Sequence, residues 1–161
     1  MHHVMGQLNS YASSNVGTVV DKVLVSVGTN DIRYCRNVNE LRPKLKSLCS
    51  QITNIFPNST VYFQSLIPLP CKHSNDWITN NKVIHFNRLI FNECVFRRFH
   101  VLDAFSAFSS PFNNPRHPEL RNGKLFDGSD IHPSRSKGMG VLARLYIRAL
   151  HSRFFDPYIL Q

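Results

Sequence analysis

No apolar run in this chain approaches the roughly 20 residues that a membrane-spanning helix needs. No membrane partner is therefore expected. The opening stretch "MHHVMGQLNS" lacks the basic end and long apolar middle of a secretory signal. Cysteine is sparse: Cys35, Cys49, Cys71 and Cys94 are far apart and form no CxxC pair. That argues for reduced, partly buried thiols over a disulfide framework or a zinc site, and hence for a cytoplasmic or nuclear location. Outside position 132 the histidines form no ligand-spaced cluster, so neither a metal nor a cofactor is expected. Acid is also scarce, with 10 Asp and Glu against 19 Lys and Arg and a net charge of +9. Such a surplus favours encounters with polyanions. The cations are scattered, however, and no five-residue basic cluster, zinc-finger or RNA-binding signature occurs. A nucleic-acid partner stays open on charge alone.

What is present is globular. Hydrophobic residues make up 42% of the 161 and charged residues 18%, enough to build a core and in the range of one folded domain, 1–161. "KVLVSV" (22–27) is a continuous β-branched run ended by glycine, read as a strand buried on both faces. Leu41, Leu45, Leu48, Ile52 and Ile55 recur at three- and four-residue steps, predicting an amphipathic helix from Val38 to Phe56 with Pro43 in its first turn. "TVYFQSL" (60–66) is a second strand, 78–97 a second helix, and "FHVLDAF" (99–105) a third strand. Residues 106–134, rich in Ser, Pro, Asn and Gly, read as a long loop, and a last helix covers 135–151. Residues 1–20 show no defined element. Alternating strands and helices imply a parallel sheet with helices on both faces, with ligands at the carboxyl ends of the strands.

Two stretches lie where that rim would be. In "VSVGTNDI", Gly28-Thr29-Asn30-Asp31 has an ordinary reading as a turn after a strand. The chemical reading is that Asn30 presents its amide N–H to an oxyanion, while Gly28 shapes the turn and Asp31 anchors the loop by accepting backbone N–H bonds. In "DGSDIHPS", His132 is either a polar turn residue or a general base oriented by a nearby carboxylate.

Taken together, a strand-end GxND near the start and an aspartate-rich His-Pro loop before the last helix resemble the SGNH (GDSL-type) hydrolases. "VYFQSLIPLP" is similar to a core strand and following loop of that family, and the resemblance runs from about residue 20 to 151. It implies a flavodoxin-like three-layer α/β/α sandwich and metal-free hydrolysis of a small ester or acyl substrate by a Ser-His(-Asp) mechanism. Carried across, Asn30 takes the oxyanion role, His132 the base role, and Gly6 the place of the second oxyanion-hole glycine. Asp130 or Asp127 would orient the histidine, since Ser129 stands where the family's DxxH motif has its aspartate.

The family's Gly-Asp-Ser nucleophile block is absent, and no apolar strand precedes residue 6. Ser10, Ser13 and Ser14 have no strand leading into them and make poor substitutes. Without the first strand, the 22–27 strand lacks a neighbour on one side. The expectation is an amino-terminally truncated esterase-like domain, inactive as it stands, similar to those of some retrotransposon-encoded proteins. The alternative is a non-catalytic binding domain associated with nucleic acid, with Arg97 and Arg98 as the cations to test.

Overall fold

A computed structural model describes residues 1–15, 17–68, 76–109, 125–126, 133–135 and 137–151. The chain begins with α1 (His2–Ser14), followed by β1 (Lys22–Val25) and the short α2 (Thr29–Tyr34). A 3-10 turn (Val38–Leu41) leads into α3 (Arg42–Ile55), then β2 (Thr60–Gln64) and α4 (Asp76–Arg97). The remaining elements are β3 (His100–Leu102), α5 (Ala104–Phe108) and α6 (Gly138–His151). Among the described residues no helix is long and apolar enough to cross a membrane.

The three strands pair in parallel in the order β1-β2-β3, with Val23 opposite Val61 and Phe63 opposite Val101. Side chains alternate across a strand, and here the alternation divides the protein into layers. Val61 and Phe63 belong to a core with Leu45, Leu48 and Ile52 of α3 and Phe86 and Ile90 of α4. Tyr62 and Leu102 meet Ala149 and Tyr146 of α6 on the opposite face. The result is an open α/β/α sandwich, as expected.

The helix through Leu45, Leu48 and Ile52 forms where its periodicity predicts, and Pro43 occupies its first turn, where a missing N–H costs nothing. The strand reading needs two corrections. It is β2 that is buried along its length from Val61 to Gln64, whereas β1 is an edge strand with Leu24 42% exposed. A β-branched run signals a strand but does not report how many neighbours the strand has. "FHVLDAF" leaves the sheet after Leu102 because Asp103 Oδ1 accepts the Ser106 N–H at 3.0 Å and caps α5.

Residues 1–20, expected to lack a defined element, contain the 13-residue α1. Its Val4, Met5 and Leu8 pack on the α3 side of the core. Gln51 of α3 also donates to the Met5 carbonyl at 3.1 Å. In the region expected to be one long loop, α5 forms at the start and Phe126 pairs with Pro133 in an isolated antiparallel bridge.

Candidate active site

The carboxyl ends of the three strands define one rim, and three tethers fix how the chain leaves it. At the exit of β1, Gly28 is buried and adopts a left-handed φ of 113° as the N-cap of α2. A Cβ there would lie 3.1 and 3.2 Å from Cζ and Cδ1 of Phe86, and closer still to Cε1. Glycine is thus required twice, for its φ and for the approach of α4. Asn30 follows in the first turn of α2 with its side chain exposed. Asp31 pairs with the amino group of Met1, 2.9 Å from Oδ2 and 3.1 Å from Oδ1, in place of the backbone N–H groups expected.

At the exit of β2, Asn87 of α4 takes both backbone groups of Leu66: its Oδ1 accepts the Leu66 N–H at 2.7 Å and its Nδ2 donates to the Leu66 carbonyl at 2.9 Å. Ser65 is buried, and its hydroxyl accepts the Phe105 N–H at 2.9 Å and donates to Asp103 Oδ1 at 3.4 Å. Its backbone N–H donates to the Leu102 carbonyl at 2.9 Å. This serine is a structural joint between β2 and β3, with its hydroxyl already committed.

The third tether brackets the histidine loop. Asp127, Asp130 and His132 lie outside the described residues. The residues on either side are described: Phe126 pairs with Pro133, and the Ser134 N–H donates to the Leu125 carbonyl at 2.7 Å. Leu125 and Phe126 pack with Ile67, Ala104 and Phe108, which follow β2 and β3 at the rim. Ser134 Oγ in turn accepts the Gly138 N–H at 3.0 Å, capping α6. A Cβ at Gly138 would fall 2.8 Å from Pro133 Cβ and closer to the Leu125 carbonyl.

Gly6 occupies a different place. It sits inside α1, exposed, and lines a groove of about 880 Å³ with Gln7 and Tyr11 of α1 and Lys22 and Leu24 of β1. Asn30 does not line that groove. An N–H inside a helix is committed to the carbonyl four residues back, so Gly6 is poorly suited to donate to an oxyanion. Two of the three serines of α1 are likewise engaged: Ser10 and Ser13 donate to the carbonyls of Gly6 and Asn9 at 3.2 and 3.0 Å.

Among the described residues no group of three His, Cys, Asp or Glu is arranged to hold a metal ion. Burial raises the Cys49 thiol from 9.0 to about 12, against a smaller lowering by Arg97, and raises Cys94 further. Neither is a nucleophile at neutral pH. Arg97 is tied to α3 through Ser50 Oγ at 2.8 Å and to Glu93 at 3.6 Å. Arg98, exposed and at a φ of 59°, ends α4. What sequence reasoning missed at the rim is Phe86 and Asn87. Phe86 carries no signal beyond helix periodicity, and Asn87 reads as an ordinary polar position on an exposed face.

A model of the GDSL-like Lipase/Acylhydrolase family matches residues 3–136. Among solved structures, the chain resembles the acetylxylan esterase Axe2 of Geobacillus stearothermophilus at 15% identity and a TM-score of 0.63, covering 98% of this chain and 70% of that one. A GDSL-like lipase of Bacteroides thetaiotaomicron matches at 14% identity and a TM-score of 0.66, covering 91% and 70%. The OSK domain of Drosophila Oskar matches at 16% and 0.65, covering 90% and 70%. At these identities the likeness is one of fold. No match to a curated protein is found.

Proposed function

Because the chain belongs to the GDSL-like lipase/acylhydrolase family, we propose that its strand rim is the acyl-binding half of an ester-hydrolysing site. Asn30 is the oxyanion donor and His132 the general base, oriented by Asp130 or Asp127. One observation carries the reading. Asn30 stands exposed just past the carboxyl end of β1 on a turn set by Gly28, and Phe126 and Pro133, which flank the histidine loop in sequence, pair with each other while Phe126 packs on residues that follow β2 and β3. An amide held rigidly at such a point can strengthen its hydrogen bond as an acyl carbon turns tetrahedral. The substrate class is a small ester or acyl group, and no metal takes part in the mechanism.

The family's Gly-Asp-Ser nucleophile block does not occur in this sequence. Ser65, Ser10 and Ser13 are all committed to structural hydrogen bonds. Among the described residues β1 pairs only with β2, and a groove of about 880 Å³ is lined by residues of α1 and β1. A strand ending in Gly-Asp-Ser, added at the other edge of β1, would deliver a serine to the same rim, because parallel strands end together. On this reading the polypeptide by itself is expected to be inactive. The test is p-nitrophenyl acetate hydrolysis by the bare chain and by a fusion carrying an upstream strand with Gly-Asp-Ser. Activity in the fusion only, lost in His132→Ala and reduced about 100-fold or more in Asn30→Ala, supports the reading. Hydrolysis by the bare chain that survives His132→Ala rules it out.

A further inference from the structure

The solvent face of α4 carries two exposed phenylalanines. Asn81, His85, Arg88, Asn92 and Val95 recur at four- and three-residue spacing and share one exposed face. Phe91 and Phe96 lie on its two flanks, 41% and 81% exposed, and Val95 between them is 63% exposed. Arg98, also exposed, follows the last residue of the helix. The opposite side, through Val83, Phe86, Ile90 and Cys94, is fully in the core, and Phe91 and Phe96 lie outside that cluster.

The charge on this face narrows what can cover it. From Asn81 to Arg98 every exposed polar side chain is neutral or cationic. The one carboxylate of that stretch, Glu93, is half-buried and paired with Arg97. The chain as a whole carries +9. A membrane surface fits poorly, because Asn81, His85 and Asn92 run down the middle of the face where an interfacial helix would be apolar. Arginine beside exposed aromatic rings, without acid, is the pattern that holds an unpaired nucleic-acid strand: cations track the phosphates and rings take the faces of unstacked bases.

We propose that this outward face of α4 binds single-stranded nucleic acid, with bases stacked on Phe96 and Phe91 and phosphates paired with Arg88 and Arg98. Five residues of helix separate the two rings by about 7.5 Å along the axis, with Arg88 and Asn92 forming the ridge between them. A duplex keeps its bases stacked internally and cannot use the rings. Arg97 plays no part, since it faces Ser50 of α3. The proposal is independent of the rim chemistry and stands whether or not an ester is cleaved there.

The experiment is fluorescence anisotropy of the full chain with labelled 20-mers of oligo(U), oligo(dT) and a duplex of the same length, from 25 to 200 mM salt. The two single-stranded arms separate RNA from DNA. Expected are tighter binding to single strands than to duplex, and about 5- to 100-fold weaker single-strand binding by Phe96→Ala. Arg88→Ala should flatten the salt dependence by about 0.7 in log–log slope, the value for one lost phosphate contact. Lys44→Ala, an exposed cation of α3, should change affinity less than twofold, with urea midpoints verifying that all variants fold. Equal affinity of the parent and Phe96→Ala overturns the proposal. So does an equal effect of Lys44→Ala and Arg88→Ala, which marks unspecific attraction. Loss of a self-associated species on Phe96→Ala, without any change in oligonucleotide binding, also overturns it and assigns the face to a protein contact.

Discussion

The edge of the Phe86 ring lies against the backbone of Gly28 so closely that no side chain fits between them. Phe86 is fully buried on α4, and Gly28 is the pivot on which the chain turns from β1 into α2. The helix that covers the sheet thus also determines where Asn30 stands. Gly28→Ala should lower stability by about 2 kcal/mol or more, from overpacking together with strain at a positive φ. Urea unfolding measures it. In a Phe86→Leu background the same substitution should cost less, because only the strain remains.

Asn87 holds Leu66 by both its N–H and its carbonyl. Replacing it with Leu would leave two half-buried backbone groups without those partners, at about 1–3 kcal/mol each before water compensates. Asn87→Asp retains the acceptor for the Leu66 N–H and loses the donor, so its loss should be the smaller of the two. Comparison of the two urea midpoints tests this order. The reverse order would show that helix packing, and not the paired hydrogen bonds, holds the β2 exit.

The buried thiols set an alkaline limit. Burial holds Cys49 protonated up to about pH 12, and Cys94 likewise, against 9.0 for a free thiol. Above pH 9 the unfolded chain loses these protons while the folded chain keeps them, so stability declines with rising pH. The contribution is intact below pH 9 and fades as the pH climbs from 9 towards 12. The slope is about 1.4 kcal/mol per pH unit for each thiol. Urea midpoints at pH 8, 9 and 10 should show a shallower decline in Cys49→Ala than in the parent. Identical declines would show that these thiols do not set the limit.

Ser134 caps α6 while its backbone N–H holds Leu125. Ser134→Ala should destabilise the protein by about 1 kcal/mol, the usual loss on removing a side-chain N-cap. Hydrogen exchange should rise first in the amides of residues 137–139. An unchanged exchange pattern there would remove the cap from the account of how the histidine loop is held.

Local order decides much of this protein. The spacing of Leu45, Leu48 and Ile52 specifies α3, the β-branched run at 22–25 specifies a strand, and the glycine after it marks the turn that carries Asn30. Each follows from chemistry within a few residues of itself, and the GxND and His-Pro stretches drew attention to the rim for the same reason. Partners distant in the chain were settled only by the tertiary structure. That β1 lies at an edge, that Asp31 meets Met1, that Ser65 is taken up by Asp103 and Phe105, and that Phe86 and Asn87 hold two strand exits all depend on contacts across 20 or more residues or on which strand finds a neighbour. A sequence pattern records the face each residue prefers. Packing then decides what occupies the other side of that face, because only close approach in the folded chain determines which groups exclude water from one another.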